Sequence, residues 1–507
     1  MISESLKNIV QSIWQYHPDE PLFYTGLAFW IAFTAILGIY SFVYRRTRIR
    51  NIYLLVVSWF IYFQMSGAFL FLLAISCLAN YGFGLLIHKQ SRKRFWITLA
   101  VGFNLLILGY FKYSYFFIES FNQLFNSDLR IFNWIGWLLN QLVPDGVDEY
   151  SILLPIGISF YTFQAISYLV DVFRGNTKAV RNLLDFSFYL SFFPQLVAGP
   201  IVRAASFMPQ LYQKFSLKKE EFSHSVYLII KGLFKKLVIA DFLATNFIDR
   251  VFDAPLAYSG LENLFAVYAY SVQIYCDFSG YTDIAIGLAL ILGFKIPVNF
   301  NAPYQATSLT DFWHRWHISL SLWLRDYLYI PLGGNRKGQG RMYLNILVTM
   351  VLGGLWHGAN LRFLIWGALH GIGLLVEKFI RKVFCFEKTL RWWQKLLSVF
   401  FTFQLVSFAW IFFRAKDQSI ICQFFYQVRH HFIPQNLLGG WSSYKAVMGI
   451  FVLGLIFIWF PHRLKEKMRG YFIELPVVLQ MVFVVCVLIV IAFISQAALQ
   501  PFIYFRF

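Results

Sequence analysis

Long apolar runs recur along this chain from Leu22 to Ile494, and they limit its possible folds more than any other feature. A helix needs about 20 apolar residues to cross the hydrocarbon core of a bilayer, and it bonds its own backbone polar groups there. The clear runs are Leu22–Tyr44, Ala68–His88, Phe95–Ile118, Ile152–Phe173, Val226–Phe247, Leu396–Phe413, Ala446–Phe460 and Pro476–Ile494; weaker ones are Ile52–Met65, Val267–Leu292, Tyr343–Leu355 and Phe363–Phe379. The pattern predicts an all-α polytopic membrane protein with about eleven or twelve transmembrane helices.

The composition agrees with this class. Hydrophobic residues make up 58% of the 507, charged residues only 14%, and the mean hydropathy is +0.58. Soluble domains usually carry about 25% charged residues. No linker rich in glycine, serine or charge separates the apolar runs. We therefore expect a single integral membrane domain over residues 1–507.

The net charge of +19 lies in clusters that each adjoin an apolar run. These clusters are Arg45–Arg50, Lys89–Arg94, Lys214–Lys219, Asn335–Arg341 and His462–Arg469. Such clusters are typical of the cytoplasmic loops of membrane proteins, where they interact with anionic lipid headgroups. Membrane lipid is therefore the expected partner of these charges, and nucleic acid is not. The five cysteines are scattered, without a CxxC motif or a close Cys/His pair, so neither a disulfide framework nor a metal site is expected.

Two segments do not fit a simple membrane-spanning helix. Leu183–Gly199 is apolar but contains Pro194, which favours a re-entrant pair of half-helices. Asp311–Ile330 is amphipathic and lies between basic clusters. Irregular or polar backbone at membrane depth is tolerated only where it is buried in protein or faces a water-filled cavity. We therefore expect a functional site near these interruptions.

Four histidines lie within or beside these segments and apolar runs: His314, His317, His357 and His370. An ionisable residue inside a membrane segment is costly and commonly marks a site, although a buried histidine bonded to a carbonyl is an equally good interpretation of a single case. His357 lies in "VLGGLWHGAN", whose glycines permit close backbone approach, as needed where a bulky ligand passes a helix. His314 and His317 would share one helix face, where metal ligation is conceivable, but no H-E-x-x-H motif completes such a site.

Further polar groups recur in the apolar stretches. Asp277 and Asp283 each need a partner, and pairing with Arg315 or Arg325 is as good an interpretation as catalysis. Asp311 precedes His314 by three residues and could orient its ring or cap the helix. The surrounding tryptophans and tyrosines are more typical of an interfacial belt than of a ligand cage.

Several sequence blocks taken together resemble the membrane-bound O-acyltransferase family, and more narrowly its bacterial branch that acts on alginate and teichoic acid. The main block is "DFSGYTDIAIGLALILGFKIPVNFNAPYQATSLTDFWHRWHISLSLWLRDYLYIPLGGN", and "GGLWHGANLRFLIWGALHG" matches the histidine motif of that family. "LPIGISFYTFQAISYLVD", "FFPQLVAGPIVR" and the terminal "QPFIYFRF" fit further blocks. The resemblance covers essentially the whole chain.

The resemblance implies a funnel-like helical bundle with a tunnel through a thin central region. It assigns the principal catalytic histidine to His357 and the second one to His317. An imidazole suits a general base because it titrates near neutral pH, so His357 is expected to be the base, and His317 an orienting residue or an oxyanion stabiliser. The expected tunnel or supporting residues are Asp277, Asp283, Trp313, Arg315, Arg325, Asp326, Trp356, Asn360 and Gln195.

The expected activity is O-acyl transfer, with acetyl the favoured group, to an exported or cell-surface polysaccharide such as alginate. The acyl donor would be acetyl-CoA or an acylated carrier protein, with no tightly bound cofactor. The resemblance also implies an extracytoplasmic SGNH-hydrolase-like acyltransferase as partner and a multi-pass location in the bacterial inner membrane. A proton-coupled transporter and a non-catalytic scaffold of a secretion complex are the alternatives.

Overall fold

A computed structural model describes residues 13–16, 21–89, 91–141, 148–383, 391–433 and 441–494. These ranges are mostly helical and contain no β-strand, which confirms the all-α class. The backbone forms two compact units, Met1–Lys218 with Leu288–Pro297, and Lys219–Gly287 with Val298–Phe507. The expected single domain stays a prediction. The C-terminal block from Gln500 to Phe507 lies outside the described residues.

The first unit contains nine described helices in chain order. They are α1 (Leu27–Val43), α2 (Thr47–Ser66), α3 (Phe69–Lys89), α4 (Lys93–Phe125), α5 (Trp134–Asn140), α6 (Ile158–Arg174), α7 (Leu183–Ser191), α8 (Phe193–Ala198) and α9 (Ala204–Leu211). Helix α6 packs against α3 and α4, and α7 packs against α2 and α3. The predicted break in Leu183–Gly199 is confirmed, since α7 ends before Phe192 and Pro194 opens the next short helix.

The second unit contains the remaining helices. A continuous segment comprises α10 (Lys219–Leu233), a π-helical stretch (Phe234–Ala240), α11 (Asp241–Leu243), a second π-helical stretch (Ala244–Ile248) and α12 (Asp249–Asp253). The helices that follow are α13 (Gly260–Ile291), α14 (Leu309–Arg315), α15 (Ile318–Leu324), α16 (Gln339–His357), α17 (Leu361–Val383), α18 (Trp392–Arg414), α19 (Gln418–His430), α20 (Trp441–Trp459), α21 (His462–Glu474) and α22 (Val477–Ile494). Pro255–Ala257 and Pro303–Gln305 are single 3₁₀ turns, and Arg325–Tyr329 is a π-helical turn after α15.

Six helices in the described ranges are long and apolar enough to cross a membrane, and a seventh span is possible if the bent pair Tyr444–Trp459 and His462–Glu474 counts as one. The six are α3, α4, α13, α17, α18 and α22. A polytopic membrane protein is thus confirmed, but the number of such helices is smaller than the predicted eleven or twelve. The other predicted spans are helices too, yet they are short, such as the 17 residues of α1, or polar, such as α2 with two arginines in its first turn.

Helices α16 and α17 form an antiparallel pair whose contact depends on glycine. A Cβ atom at Gly354 would overlap the carbonyl oxygen of Phe363, and one at Gly367 would overlap that of Met350. A Cβ atom at Gly358 would likewise meet the Phe363 ring. The predicted close backbone approach is therefore present, but the neighbouring helix occupies that space, and no room for a passing ligand is left at these glycines.

Candidate active site

The site begins at a break between α14 and α15. Helix α14 ends at Arg315, and His317 adopts the left-handed conformation, with φ of 42°, before α15 starts at Ile318. A residue other than glycine is uncommon in this conformation, which costs free energy and often occurs at functional sites. Because the helix is interrupted, His314 is exposed whereas His317 is fully buried. The expectation that the two histidines share one helix face is therefore wrong. The metal site that a shared face made conceivable loses its geometric basis.

His317 is held by the loop that precedes α14. Its Nδ1 atom lies 3.2 Å from Oδ1 of Asn299, and the backbone N–H of Ile318 donates to the Asn299 carbonyl at 3.0 Å. Asn299 is itself buried. A backbone bond and a side-chain bond therefore fix the ring of His317 to the same asparagine, although the two residues belong to different segments.

His357 is the last residue of α16, and its side chain is buried among aromatic rings. Its ring centre lies 5.0 Å from that of Trp366 on α17 and 5.2 Å from that of Phe413 on α18. A histidine at a helix C-terminus lies near the partial negative charge of that end. This position favours the positive charge that an imidazole gains when it accepts a proton.

Trp356 links the two histidines. Its ring centre lies 5.0 Å from that of His357 and 6.2 Å from that of His317. The ring of Phe278, on α13, also contacts the His317 ring, and the two ring centres lie 4.8 Å apart. The rings of both histidines therefore neighbour the Trp356 ring within one buried aromatic cluster.

A third histidine extends this cluster. The ring of His370 lies 4.7 Å from that of Trp366 and 5.2 Å from that of Trp313, and it is 1% exposed. Neither of its ring nitrogens has a hydrogen-bond partner among the residues that the structure describes. Within the described residues, the contacts of His370 are therefore those of its ring with its aromatic neighbours. Trp313 lies in this part of the cluster, and its supporting role stays a prediction.

The buried acids pair with lysines. Nζ of Lys236 lies 2.5 Å from Asp277 and 2.6 Å from Asp241, while Nζ of Lys235 lies 2.7 Å from Asp283. Lys231 also reaches Asp283, at 3.1 Å, and Lys235 donates to Ser279. Pairing of the two predicted aspartates with Arg315 or Arg325 is therefore wrong. The network joins α13 to α10 and to the π-helical stretch after it.

The remaining predicted residues have local partners. Arg315 pairs with Asp311 at 2.7 Å, and Arg325 pairs with its neighbour Asp326 at 2.7 Å, with more than half of the arginine side chain exposed. Asn360 accepts a hydrogen bond from the backbone N–H of Arg362 and caps α17. Gln195, in the first unit, donates to the carbonyl of Tyr189. None of these residues belongs to the aromatic cluster around the histidines, as far as the described contacts go.

Sequence reasoning missed Asn299, Trp366 and the three lysines. The lysines carry a recognisable signal, since "KGLFKKL" places three charges inside an apolar run where each must find a partner. Asn299 gives no such signal, because asparagine is ordinary in a loop such as "KIPVNFNAP".

Comparison with known proteins identifies the family of this chain. The model of the MBOAT, membrane-bound O-acyltransferase family, matches residues 175–416, a range that contains both central histidines and Asn299. A probable alginate O-acetylase of Azotobacter vinelandii is 43% identical over 381 residues, which are 74% of this chain and 71% of the relative. A peptidoglycan O-acetyltransferase of Helicobacter pylori is 37% identical over 397 residues, 72% of this chain and 71% of that protein.

A more distant relative is a teichoic acid D-alanyltransferase of Bacillus subtilis, 30% identical over 283 residues, which cover 53% of this chain and 70% of that protein. All three relatives are acyl-transferring proteins by name. The family match, the identity over most of both chains and the multi-pass helical structure agree with one another. The chain belongs to the membrane-bound O-acyltransferase family and is a polytopic membrane acyltransferase.

Proposed function

We propose that this protein O-acetylates an exported or cell-surface polysaccharide of the alginate type in the bacterial inner membrane. The single observation that carries the proposal is the buried cluster in which His317 and His357 share the Trp356 ring. The 43% identity to a probable alginate O-acetylase supports acetyl as the group and a polysaccharide as the acceptor.

The chemistry assigned to His357 is that of a general base. Its imidazole takes the proton of an acceptor hydroxyl while the hydroxyl oxygen attacks the carbonyl carbon of an acyl thioester. The tetrahedral intermediate collapses, the carbon–sulfur bond breaks, and the proton leaves with the thiol. The helix C-terminus beside His357 favours the imidazolium that forms between these steps.

The acyl donor in this proposal is a cytoplasmic thioester, either acetyl-CoA or an acylated carrier protein, and a tunnel brings its acyl group to the histidines. A tunnel serves this reaction because the large polar head of the donor need not enter the hydrocarbon. An extracytoplasmic acyltransferase of the SGNH-hydrolase kind completes delivery to the polymer. The exposed Trp134 and Trp137 of α5 support a contact of this kind, since aromatic side chains are enriched at protein interfaces.

The test is acetyl transfer by the purified protein in proteoliposomes. Radiolabelled acetyl-CoA or acetylated carrier protein is supplied on one side, and alginate oligosaccharide, a peptidoglycan fragment or teichoic acid on the other. We expect label on the alginate oligosaccharide, in larger amount when the extracytoplasmic partner is present. Absence of label from all acceptors with both donors and with the partner would refute the proposal. Movement of unmodified substrate driven by a proton gradient would favour the transporter instead.

A further inference from the structure

The contact between Asn299 and His317 defines which nitrogen of the histidine carries the hydrogen. Three groups lie within hydrogen-bond distance of one atom of Asn299, its Oδ1: the backbone N–H of Ser319 at 3.0 Å, the Ser319 hydroxyl at 2.9 Å, and Nδ1 of His317 at 3.2 Å. Amide orientation is normally assigned and not observed. Here the Ser319 backbone N–H can only donate, so the atom that it meets must be the carbonyl oxygen of the amide.

The orientation of this amide determines the state of the imidazole. A carbonyl oxygen only accepts hydrogen bonds, so Nδ1 of His317 must carry a hydrogen. In a neutral imidazole the other nitrogen then has a lone pair and accepts. Full burial of the ring and a neutral amide partner favour the uncharged imidazole. Nε2 of His317 is consequently an acceptor.

We propose that Asn299 is a positioning residue that holds His317 as the Nδ1-H tautomer, so that His317 orients the acyl acceptor by accepting a hydrogen bond from its hydroxyl. This inference rests on the proposed function. It decides between the two roles open to His317, because an oxyanion needs a donor and Nε2 in this tautomer is not one. Partners that fix the ring of a functional histidine act in the same way at metal sites, where they also set the tautomer.

The left-handed backbone of His317 also helps to form the start of α15. Its left-handed backbone places Ile318 N–H against the Asn299 carbonyl and Ser319 N–H against the Asn299 side chain. Each of these bonds is made by the first turn of α15, where backbone N–H groups lack partners within the helix. The loop asparagine thus caps α15 and orients the preceding imidazole together.

The experiment reads the tautomer directly. Protein labelled with 15N-histidine is placed in nanodiscs, and the His317 resonances are identified by their loss in His317→Gln. We expect a protonated Nδ1 and an unprotonated Nε2 in the wild type. In Asn299→Ala we expect Nε2-H to appear and kcat for acetyl transfer to fall by roughly 10–100-fold. A wild-type His317 protonated at Nε2 would overturn the inference, as would Asn299→Ala with unchanged tautomer and full rate.

Two further variants keep the test decisive. Asn299→Asp retains an acceptor oxygen and should keep a hydrogen on Nδ1, but its negative charge favours the imidazolium, so we expect a hydrogen on Nε2 as well and a rate that stays low. Asn345→Ala removes an equally buried asparagine that donates to the Gly334 carbonyl, and should change neither the tautomer nor the rate. The resonances are independent of turnover. If the predicted tautomer is observed in a protein that shows no acyl transfer, the proposed function is refuted while the tautomer assignment stands.

Discussion

The rings of His357 and Trp366 meet edge to face, with centres 5.0 Å apart and planes at 85°. Trp366 lies on α17, and its ring stacks in turn on Trp410 of α18 at 5.8 Å. Aromatic pairs of this geometry contribute about 0.5–1.5 kcal/mol beyond the area that they bury. The imidazole at the end of α16 is therefore oriented by packing from two other helices.

The buried ion pairs should be essential to folding while taking no part in the reaction. Lys236→Met leaves Asp241 and Asp277 buried without their common cation, and we expect the free energy of unfolding to fall by about 3–5 kcal/mol. Adding Asp241→Asn and Asp277→Asn to that variant should restore part of the loss. Denaturant unfolding in detergent measures both. If the three substitutions lower the free energy of unfolding additively, this account is contradicted. Lys445→Met, at an exposed lysine, is the control.

The close contact between α16 and α17 makes a second prediction. Gly354→Ala places a methyl group against the Phe363 carbonyl and 3.1 Å from the Cα of Gly367, so the helices must separate. We expect a loss of about 1–3 kcal/mol, with lower activity because His357 follows on the same helix. Gly340→Ala is the matched control, since nothing lies within 4 Å of its Cβ. Equal melting temperatures for the two variants would show that the contact is not tight.

The basic clusters should lie on the cytoplasmic side. In a background in which all five cysteines are replaced by serine, Asn335→Cys and Met468→Cys introduce one exposed thiol each and keep every positive charge. We expect an impermeant maleimide to label both only when it reaches the cytoplasmic face. Labelling of either from the outside in sealed cells would contradict the topology.

The exposed aromatic residues of α5 should contact the extracytoplasmic acyltransferase. Trp134 and Trp137 are 66% and 42% exposed in the segment between α4 and α6. Glutamate at both positions should abolish polymer acetylation while membrane insertion and donor thioester turnover persist, because only docking is disturbed. Membrane-parallel packing of α5 is the competing interpretation, and it requires loss of insertion instead. Full-rate acetylation of the polymer by the purified chain alone would contradict the relay.

The sequence predicted the parts of the fold that depend on hydrophobicity and on proline. The span predicted over Phe363–Phe379 is α17, Leu361–Val383, because apolar content over that length is enough to define a helix in a membrane. Pro194 predicted the break between α7 and α8 for a similarly local reason. Fewer helices of the described residues have the length and apolar content of a span than the eleven or twelve predicted, because helices such as α1 and α2 are short or polar.

The site was predictable only as a set of residue types. His317, His357, Trp313 and Trp356 do lie in one cluster, but the spacing of His314 and His317 predicted a shared face that the left-handed break removes. Asp277 pairs with Lys236, which lies 41 residues away in the sequence. Such partners are set by tertiary packing, which no local pattern encodes.

The most direct test of the central claim is acetyl transfer by His357→Asn beside His314→Asn. Both substitutions remove an imidazole, but His357 is buried in the cluster and His314 is exposed. With both proteins inserted normally, we predict that His357→Asn loses a factor on the order of 10²–10⁴ in rate, while His314→Asn keeps the wild-type rate. Transfer by His357→Asn within about tenfold of the wild type, well short of that range, would contradict its role as the base.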